Sequence, residues 1–496
     1  LNAGLFQQSG YGGYGTTGTF ILVSRSLKTE AMQDRASKLL TGTTEQSSSS
    51  YYPSGEITFS RSDLSSDLWS SNWLAYSGYD GIIVGAEDLK QMPEQVKAAL
   101  WRYAASGGTL AIAGGTEIPG AWGSAAPVKM AMPVRPASAK VPEGKLAPKE
   151  WAGSLDLFYL GFGCAVPLPL DGTASLTDVQ LADLMRLFKD TSDPWSSYGY
   201  YTRSDPNELF PVAGSTKVPV RGLMLLMLAF VLAVGPANLF VLSKYKRRLW
   251  LLWTVPAISL VTCLAVWLYA SFAEGWRAYS RIEAVTALDE TTNEAATIAM
   301  AGYYSPLTPR RGLRFDYDTE ITPISNQGGD RRIGHSINLD ECQHLESGWI
   351  AARVPAHFML RKCESRRERL VVRKDAATGE LSAVNGLGAD IKEVFFMDGA
   401  GNLYTATNIP AGSKANLSLK PSRPPAYDRP FLRTLYSAHW SRSVQQAADA
   451  AQYALKPNQY IAITEGTPFM EPGLSKATSK DSRSAVFGLK GGLDES

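Results

Sequence analysis

GLMLLMLAFVLAVGPANLFVL, residues Gly222 to Leu242, and LWLLWTVPAISLVTCLAVWLYA, residues Leu249 to Ala270, contain no charged side chain. Between them lie six residues, Ser243-Lys244-Tyr245-Lys246-Arg247-Arg248. The runs are 21 and 22 residues long. As helices rising about 1.5 Å per residue each reaches about 32 Å, the thickness of bilayer hydrocarbon. The pair predicts a transmembrane helical hairpin: transmembrane helix 1 over 222–242, a basic loop over 243–248 and transmembrane helix 2 over 249–270. Lys244, Lys246, Arg247 and Arg248 make the loop basic with no acid beside them, and short basic loops stay in the cytoplasm. A hairpin sends both flanking parts to the same face, here the outer one.

The competing reading is a buried hairpin in a soluble core. Trp250 and Trp253 at one end, with Trp267, Tyr269 and Trp276 at the other, match interfacial aromatic belts and favour the membrane. Gly235-Pro236 and Pro256 fall toward the cytoplasmic ends. Proline removes a backbone donor, so a kink is expected and the freed carbonyl needs another partner. Asn238 is the strongly polar side chain of the first helix. It is expected near the headgroups without a special role, the alternative being a hydrogen bond to a partner helix.

About 220 of the 496 residues precede the hairpin and 226, residues 271–496, follow it. Each part is long enough for its own core. The organisation expected is an α/β domain over 1–195, a linker over 196–221, the hairpin, and a mostly-β domain over 271–496. A net charge of +2 argues against a nucleic-acid partner. The chain begins at Leu1 without a signal-peptide pattern; because an exported front part needs a targeting element, a processed or incomplete chain is expected. Of four cysteines, Cys263 lies in the second apolar run and Cys164 in an apolar stretch. Cys342 and Cys363 stand 21 apart and could pair in an oxidising compartment; two free thiols are an equally open reading. His335, His344, His357 and His439 have no metal-ligand spacing, so no metal and no cofactor are expected.

The front part alternates strand and helix. Thr19 to Val23, Glu56 to Phe59, Tyr79 to Gly85 and Thr109 to Ala113 read as apolar strands. Helical segments carry Met32, Ala36, Leu39 and Leu40, then Val96, Leu100 and Tyr103 after Pro93, then Asp178 to Lys189. Alternation of this kind implies right-handed crossovers and a parallel sheet. Gly10-Tyr11-Gly12-Gly13-Tyr14-Gly15 matches G-x-G-x-x-G, but a strand follows it where one should precede, so it is no dinucleotide site.

The run YDGIIVGAEDLKQMPEQVKAALWRYAASGGTLAIAGG, residues 79–115, resembles the middle of a class I glutamine amidotransferase-like, flavodoxin-type domain. Tyr159 to Gly163 with Ala165 to Leu168 resembles the next strand in membrane-anchored relatives. The likeness covers about 150 residues. The catalytic members carry a Cys on a sharp strand-to-helix turn and a nearby His. Here the turn reads Gly114-Gly115-Thr116-Glu117, and no His precedes His335, so the resemblance implies a degenerate domain without catalytic residues. Glu87, Asp88, Thr116 and Glu117 are expected at the C-terminal strand ends, where open α/β sheets bind ligands; solvated loop residues are the plain alternative.

After the hairpin, short segments separated by turns predict a β-sandwich: Ala295 to Ala301, Leu313 to Tyr317, Trp349 to Val354, Phe358 to Leu360, Leu370 to Arg373, Val394 to Met397 and Tyr460 to Ile463, with one helix from Ser441 to Leu455. Arg361, Lys362, Arg366, Arg367 and Arg369, mixed with Glu364 and Glu368, read as a solvated, self-paired strand edge. Over most of the chain, with GPANLFVLSKYKRRLWLLWTVPAIS and then NGLGADI and DGAGNLY, the sequence resembles bacterial envelope membrane proteins with a silent amidotransferase-like domain, some of which accompany transporters. That likeness implies a bacterial inner-membrane location with both soluble domains extracytoplasmic. It implies a non-enzymatic accessory or scaffold role, with the bilayer and other membrane or envelope proteins as partners. An extracytoplasmic binding or sensing protein using the strand-end pocket is the alternative. Cys342 with His344 or His357 is the one Cys–His proximity an enzyme reading could use.

Overall fold

The computed structural model describes residues 19–29, 32–36, 57–114, 128–129, 156–169, 210–212, 220–246, 248–274, 277–324, 334–375, 379–420 and 455–493, with isolated positions between 176 and 207. The Gly/Tyr loop at 10–15, Thr116, Glu117, Arg247, Trp276 and nearly all of the expected helix at 441–455 lie outside these.

In the front domain the strands are β1 (Thr19–Val23), β2 (Ile57–Arg61), β3 (Gly81–Gly85), β4 (Thr109–Ala113), β5 (Val128–Lys129), β6 (Asp156–Leu160) and β7 (Gly163–Leu168). They pair in the order β2-β1-β3-β4-β7-β6-β5. The first five in that order are parallel, and β6 and β5 add antiparallel strands. GIIVG and TLAIA are buried along their whole length, as strands covered on both faces must be. Ile21, Val23, Ile83, Ala111 and Val166 pack on one side against Met32, Ala36, Leu181, Leu184 and Phe188. Leu22, Ile82, Val84, Leu110 and Ile112 pack on the other against Val96, Leu100 and Tyr103. Helix α1 (Ala86–Gln91) follows β3, and α2 (Glu94–Ala105) starts at Pro93 as its N-cap. The Gly161-Phe162-Gly163 hairpin has a steric cause. Gly161 holds φ +56°, and a Cβ on Gly163 would stand 2.1 Å from the Gly108 carbonyl oxygen.

Among the described residues, two helices are long and apolar enough to cross a membrane. The first is built from α3 (Val220–Leu232), a π-helical segment over Ala233–Ala237, and α4 (Asn238–Lys244); the second is α5 (Leu251–Glu274). Pro236 falls inside the π segment, so the expected kink takes the form of a local widening around the missing donor. Pro256 is accommodated in an unbroken α5. Apolar side chains point away from the protein, among them Leu249, Leu252 and Trp253 at 91%, 81% and 79% exposure. Leu242 and Asn238 are buried instead, and Asn238 Nδ2 donates to Thr254 Oγ1 at 2.9 Å. The expectation of no special role is therefore corrected: this amide joins the two helices of its own hairpin.

Strands β8 (Tyr279–Asp289), β9 (Glu294–Tyr304), β10 (Leu313–Phe315), β11 (Thr319–Ile324), β12 (Ser336–Asn338), β13 (Gln343–Ser347), β14 (Ala356–Ser365) and β15 (Arg369–Lys374) open the rear domain. It continues with β16 (Leu381–Gly386), β17 (Ile391–Met397), β18 (Leu403–Ile409), β19 (Lys414–Asn416), β20 (Ser418–Lys420), β21 (Gln459–Glu465), β22 (Thr478–Ser479) and β23 (Arg483–Leu489). A ten-stranded mixed sheet runs β11-β14-β9-β8-β23-β21-β17-β18-β20, with β22 beside β8. Two three-stranded sheets, β10-β13-β12 and β15-β16-β19, complete the domain.

Alternate residues of the large sheet serve different neighbours. Ala284, Ala299, Ala301 and Phe358 meet Leu313, Phe315 and Leu345 of one small sheet. Val394, Phe396, Ala462 and Val486 meet Leu370, Val372 and Ala383 of the other. The opposite face, with Val285, Ile298, Phe395, Ile461 and Phe487, shares one core with the front domain. The rear domain thus layers two small sheets on one face of the large one, and the front domain covers the other face. Burial on both faces explains why EAATIAMAGYY is apolar almost throughout instead of alternating. Trp349 to Val354, expected as a strand, is a turn before β14.

Candidate functional site

Glu87 and Asp88 enter the first turn of α1, directly after β3. The strand order reverses between β1 and β3, the crevice where doubly wound sheets take ligands. Glu87 is exposed. Asp88 reaches across the crevice and accepts hydrogen bonds from Ser26 Oγ at 2.6 Å and Ser26 N at 3.1 Å, while Gly85 N donates to Ser24 Oγ at 2.8 Å. Burial raises the Asp88 carboxyl, but hydrogen bonds from Ser24 and Ser26, with the charge of Arg25, outweigh it and hold the group below its usual range. A Cβ on Gly85 would lie 2.3 Å from Ser26 Oγ. A serine–aspartate clasp therefore joins the ends of β1 and β3.

A denser constellation lies where the domains meet. Lys362, in the β14 strand interior, is 2% exposed. Its ammonium stands 3.0 Å from Asp316 Oδ2, 3.0 Å from Glu364 Oε2 and 3.7 Å from Asp318 Oδ1, and it donates to Glu471 Oε1. Asp316, Asp318 and Glu471 satisfy the spacing of a metal-ligand group, yet the lysine already supplies a cation among them. Burial raises the Glu471 carboxyl to about 6, helped by its hydrogen bond with Asp316 and opposed by Lys362. That same hydrogen bond is the main cause holding Asp316 low, against burial and with Lys362. A protonated Glu471 is thus placed to donate to the Asp316 carboxylate. The Tyr303 hydroxyl is buried without a hydrogen-bond partner, and burial, reinforced by the charge of Glu471, pushes its pKa up.

The turn that carries Asp316 and Asp318 also holds the front domain. Trp73 Nε1 donates to Asp318 O at 3.0 Å, and Asn72 Nδ2 to Tyr317 O at 3.3 Å. Arg102 of α2 makes a two-pronged contact with Glu294 of β9, Nη2 to Oε1 at 2.8 Å and Nε to Oε2 at 3.1 Å. Arg361 donates to Ser106 O and lies 5.9 Å from the centre of the Trp73 ring. The basic cluster expected as a solvated edge is therefore split. Arg366 does pair with Glu364 and Glu368, but Arg361 and Lys362 belong to an interior strand between β11 and β9.

Cys342 and Cys363 are free thiols, as are Cys164 and Cys263. The pairing considered for Cys342 and Cys363 is corrected by the layering. Cys363 is fully buried on the face under the front domain, whereas Cys342 precedes β13 of a small sheet on the other face. Burial raises the Cys363 thiol far above its usual range. His344 Nε2 contacts the Arg311 carbonyl at 2.7 Å and His357 Nε2 the Phe210 carbonyl at 3.0 Å. The arrangement at the seam can bind a proton and hold two domains together. The carboxylates around Lys362 come from positions 316, 318, 364 and 471, a scatter that no local spacing announces. No family model and no curated protein matches this chain.

Proposed function

We propose that this chain is a membrane-anchored extracytoplasmic accessory or scaffold subunit of a bacterial envelope assembly, working through binding surfaces and not through catalysis. The observation that carries the reading is the seam: domains on either side of the apolar hairpin share one core and the Arg102–Glu294 contact. Packing of this kind requires both domains on one side of any membrane the hairpin enters, and the Lys244 to Arg248 loop favours the outer side. A helix pair with outward-facing apolar side chains suits contact with lipid and with other membrane subunits, transporters among them.

The alternative is a ligand-binding or sensing protein using the β1/β3 strand ends. It draws on the position of Glu87 and Asp88, and the engaged Asp88 carboxylate weighs against it. Tagged full-length protein purified from native membranes in mild detergent should bring down other membrane subunits in stoichiometric amounts. Recovery of the chain alone would sink the accessory reading and move attention to the strand ends. A Tyr245→Cys variant tests the orientation: an impermeant maleimide should reach that loop position only after the inner membrane is opened.

A further inference from the structure

The rear domain has an end that must lie near the bilayer if α5 crosses it. Tyr279 opens β8 five residues after Glu274 closes α5, and five residues span at most about 17 Å. Tyr279 pairs with Tyr304 at the end of β9, and Tyr303 pairs with Ala356 at the start of β14. The turns at 305–312 and 348–355 therefore emerge at this end, and Arg353 N ties them together by donating to Ser305 O at 2.8 Å. Thr478 N donates to Ala278 O, and Lys480 N to Ser280 O, which brings a third segment to the same place.

The side chains here share a pattern. Leu307 and Val354 are 59% and 53% exposed. Around them Arg277, Arg310, Arg311, Arg353, Lys476 and Lys480 are exposed. Neither turn contains an acid. Among the described residues, acids near this end include Glu346, which accepts from Ser336 Oγ at 2.9 Å, and Asp481. Cations are in excess. Single apolar side chains at the tips of basic turns suit an interface in which the tips enter the headgroup layer and the long cationic side chains reach phosphate.

We infer that the turns 305–312 and 348–355, with Lys476 and Lys480, form a foot that rests on an anionic phospholipid surface. Leu307 and Val354 enter the headgroup region, and the arginines and lysines pair with lipid phosphates. The inference rests on the membrane-anchored reading above. It adds a second, peripheral contact that fixes the height and tilt of the soluble stack over the bilayer.

The test uses full-length protein in lipid nanodiscs of phosphatidylcholine, with or without phosphatidylglycerol. Leu307→Cys and Val354→Cys, each made with Cys263→Ser and Cys342→Ser, carry an environment-sensitive fluorophore; Cys164 and Cys363 are buried. Blue-shifted emission and quenching by headgroup-region nitroxide lipids are expected in the phosphatidylglycerol discs. Both should weaken at high salt and on adding Arg310→Glu with Arg311→Glu. Emission typical of water at both positions in those discs would overturn the foot. Equal quenching in pure phosphatidylcholine would overturn the anionic recognition. A fluorophore on Cys263, in a chain with Cys342→Ser, separates the two readings. Its quenching in every disc reports a spanning hairpin, and its failure to quench removes the membrane reading itself.

Discussion

Lys362 shows how far a single residue's role depends on distant chain. In the sequence it stands between Arg361 and Cys363 and near Glu364 and Glu368, which looks like a mixed, solvated edge. In the fold it is a buried cation facing carboxylates from three separate segments. The local pairs of Arg366 were legible because they lie two residues away; those of Lys362 were not, because Glu471 is 109 residues distant. Lys362→Met should leave mutually repelling carboxylates and cost on the order of 3–5 kcal/mol, read as a fall in thermal midpoint. Glu471 gives a pH signature. Its carboxyl is raised from 4.5 to about 6, so within that window the folded chain holds a proton that the unfolded chain releases. Its contribution is therefore greatest at acidic pH and is lost as pH rises through about 6; Asp316, held low, acts oppositely below its ordinary 3.8. Glu471→Gln should shrink the difference in midpoint between pH 5 and pH 7, and an unchanged difference would count against a raised Glu471 carboxyl.

Elements were more legible than residues. Four of the front-domain strands, and α2 with its proline start, follow from apolar runs bounded by glycine and proline. The hairpin is equally plain. What its sequence hid was how the backbone absorbs Pro236, since a kink and a π segment answer the same missing donor. The Asn238–Thr254 bond was also hidden, because the two residues face each other only once the helices are packed. Asn238→Leu should weaken hairpin packing by about 0.6–1.7 kcal/mol. Thr254→Val should cost a similar amount, and the double variant no more than either alone. Additive losses in a detergent unfolding titration would show that the bond does not couple them.

At the scale of the whole molecule, the order of domains was readable and their docking was not. Arg102 and Glu294 are 192 positions apart, and neither carries a mark that distinguishes a seam partner from a surface charge. The shared core explains why the large sheet lacks a polar face. Glu294→Ala should remove about 1.5–3 kcal/mol of charged hydrogen bonding from the seam. Calorimetry is then expected to resolve a single wild-type transition of the soluble parts into two; one undivided transition in the variant would mean that apolar packing alone couples them.

The position of β23 has a consequence for biosynthesis. It lies between β8 and β21, parallel to the strand that follows the second apolar helix. The ribosome therefore supplies the middle of the large sheet after both of its halves. Until residues 483–489 emerge, the nascent chain presents two bare β edges while its hydrophobic hairpin has long been available for insertion. A stop codon just ahead of Arg483 would consequently yield a tethered, adhesive intermediate, a substrate for envelope proteases and for self-association, and not a slightly shorter version of the native protein.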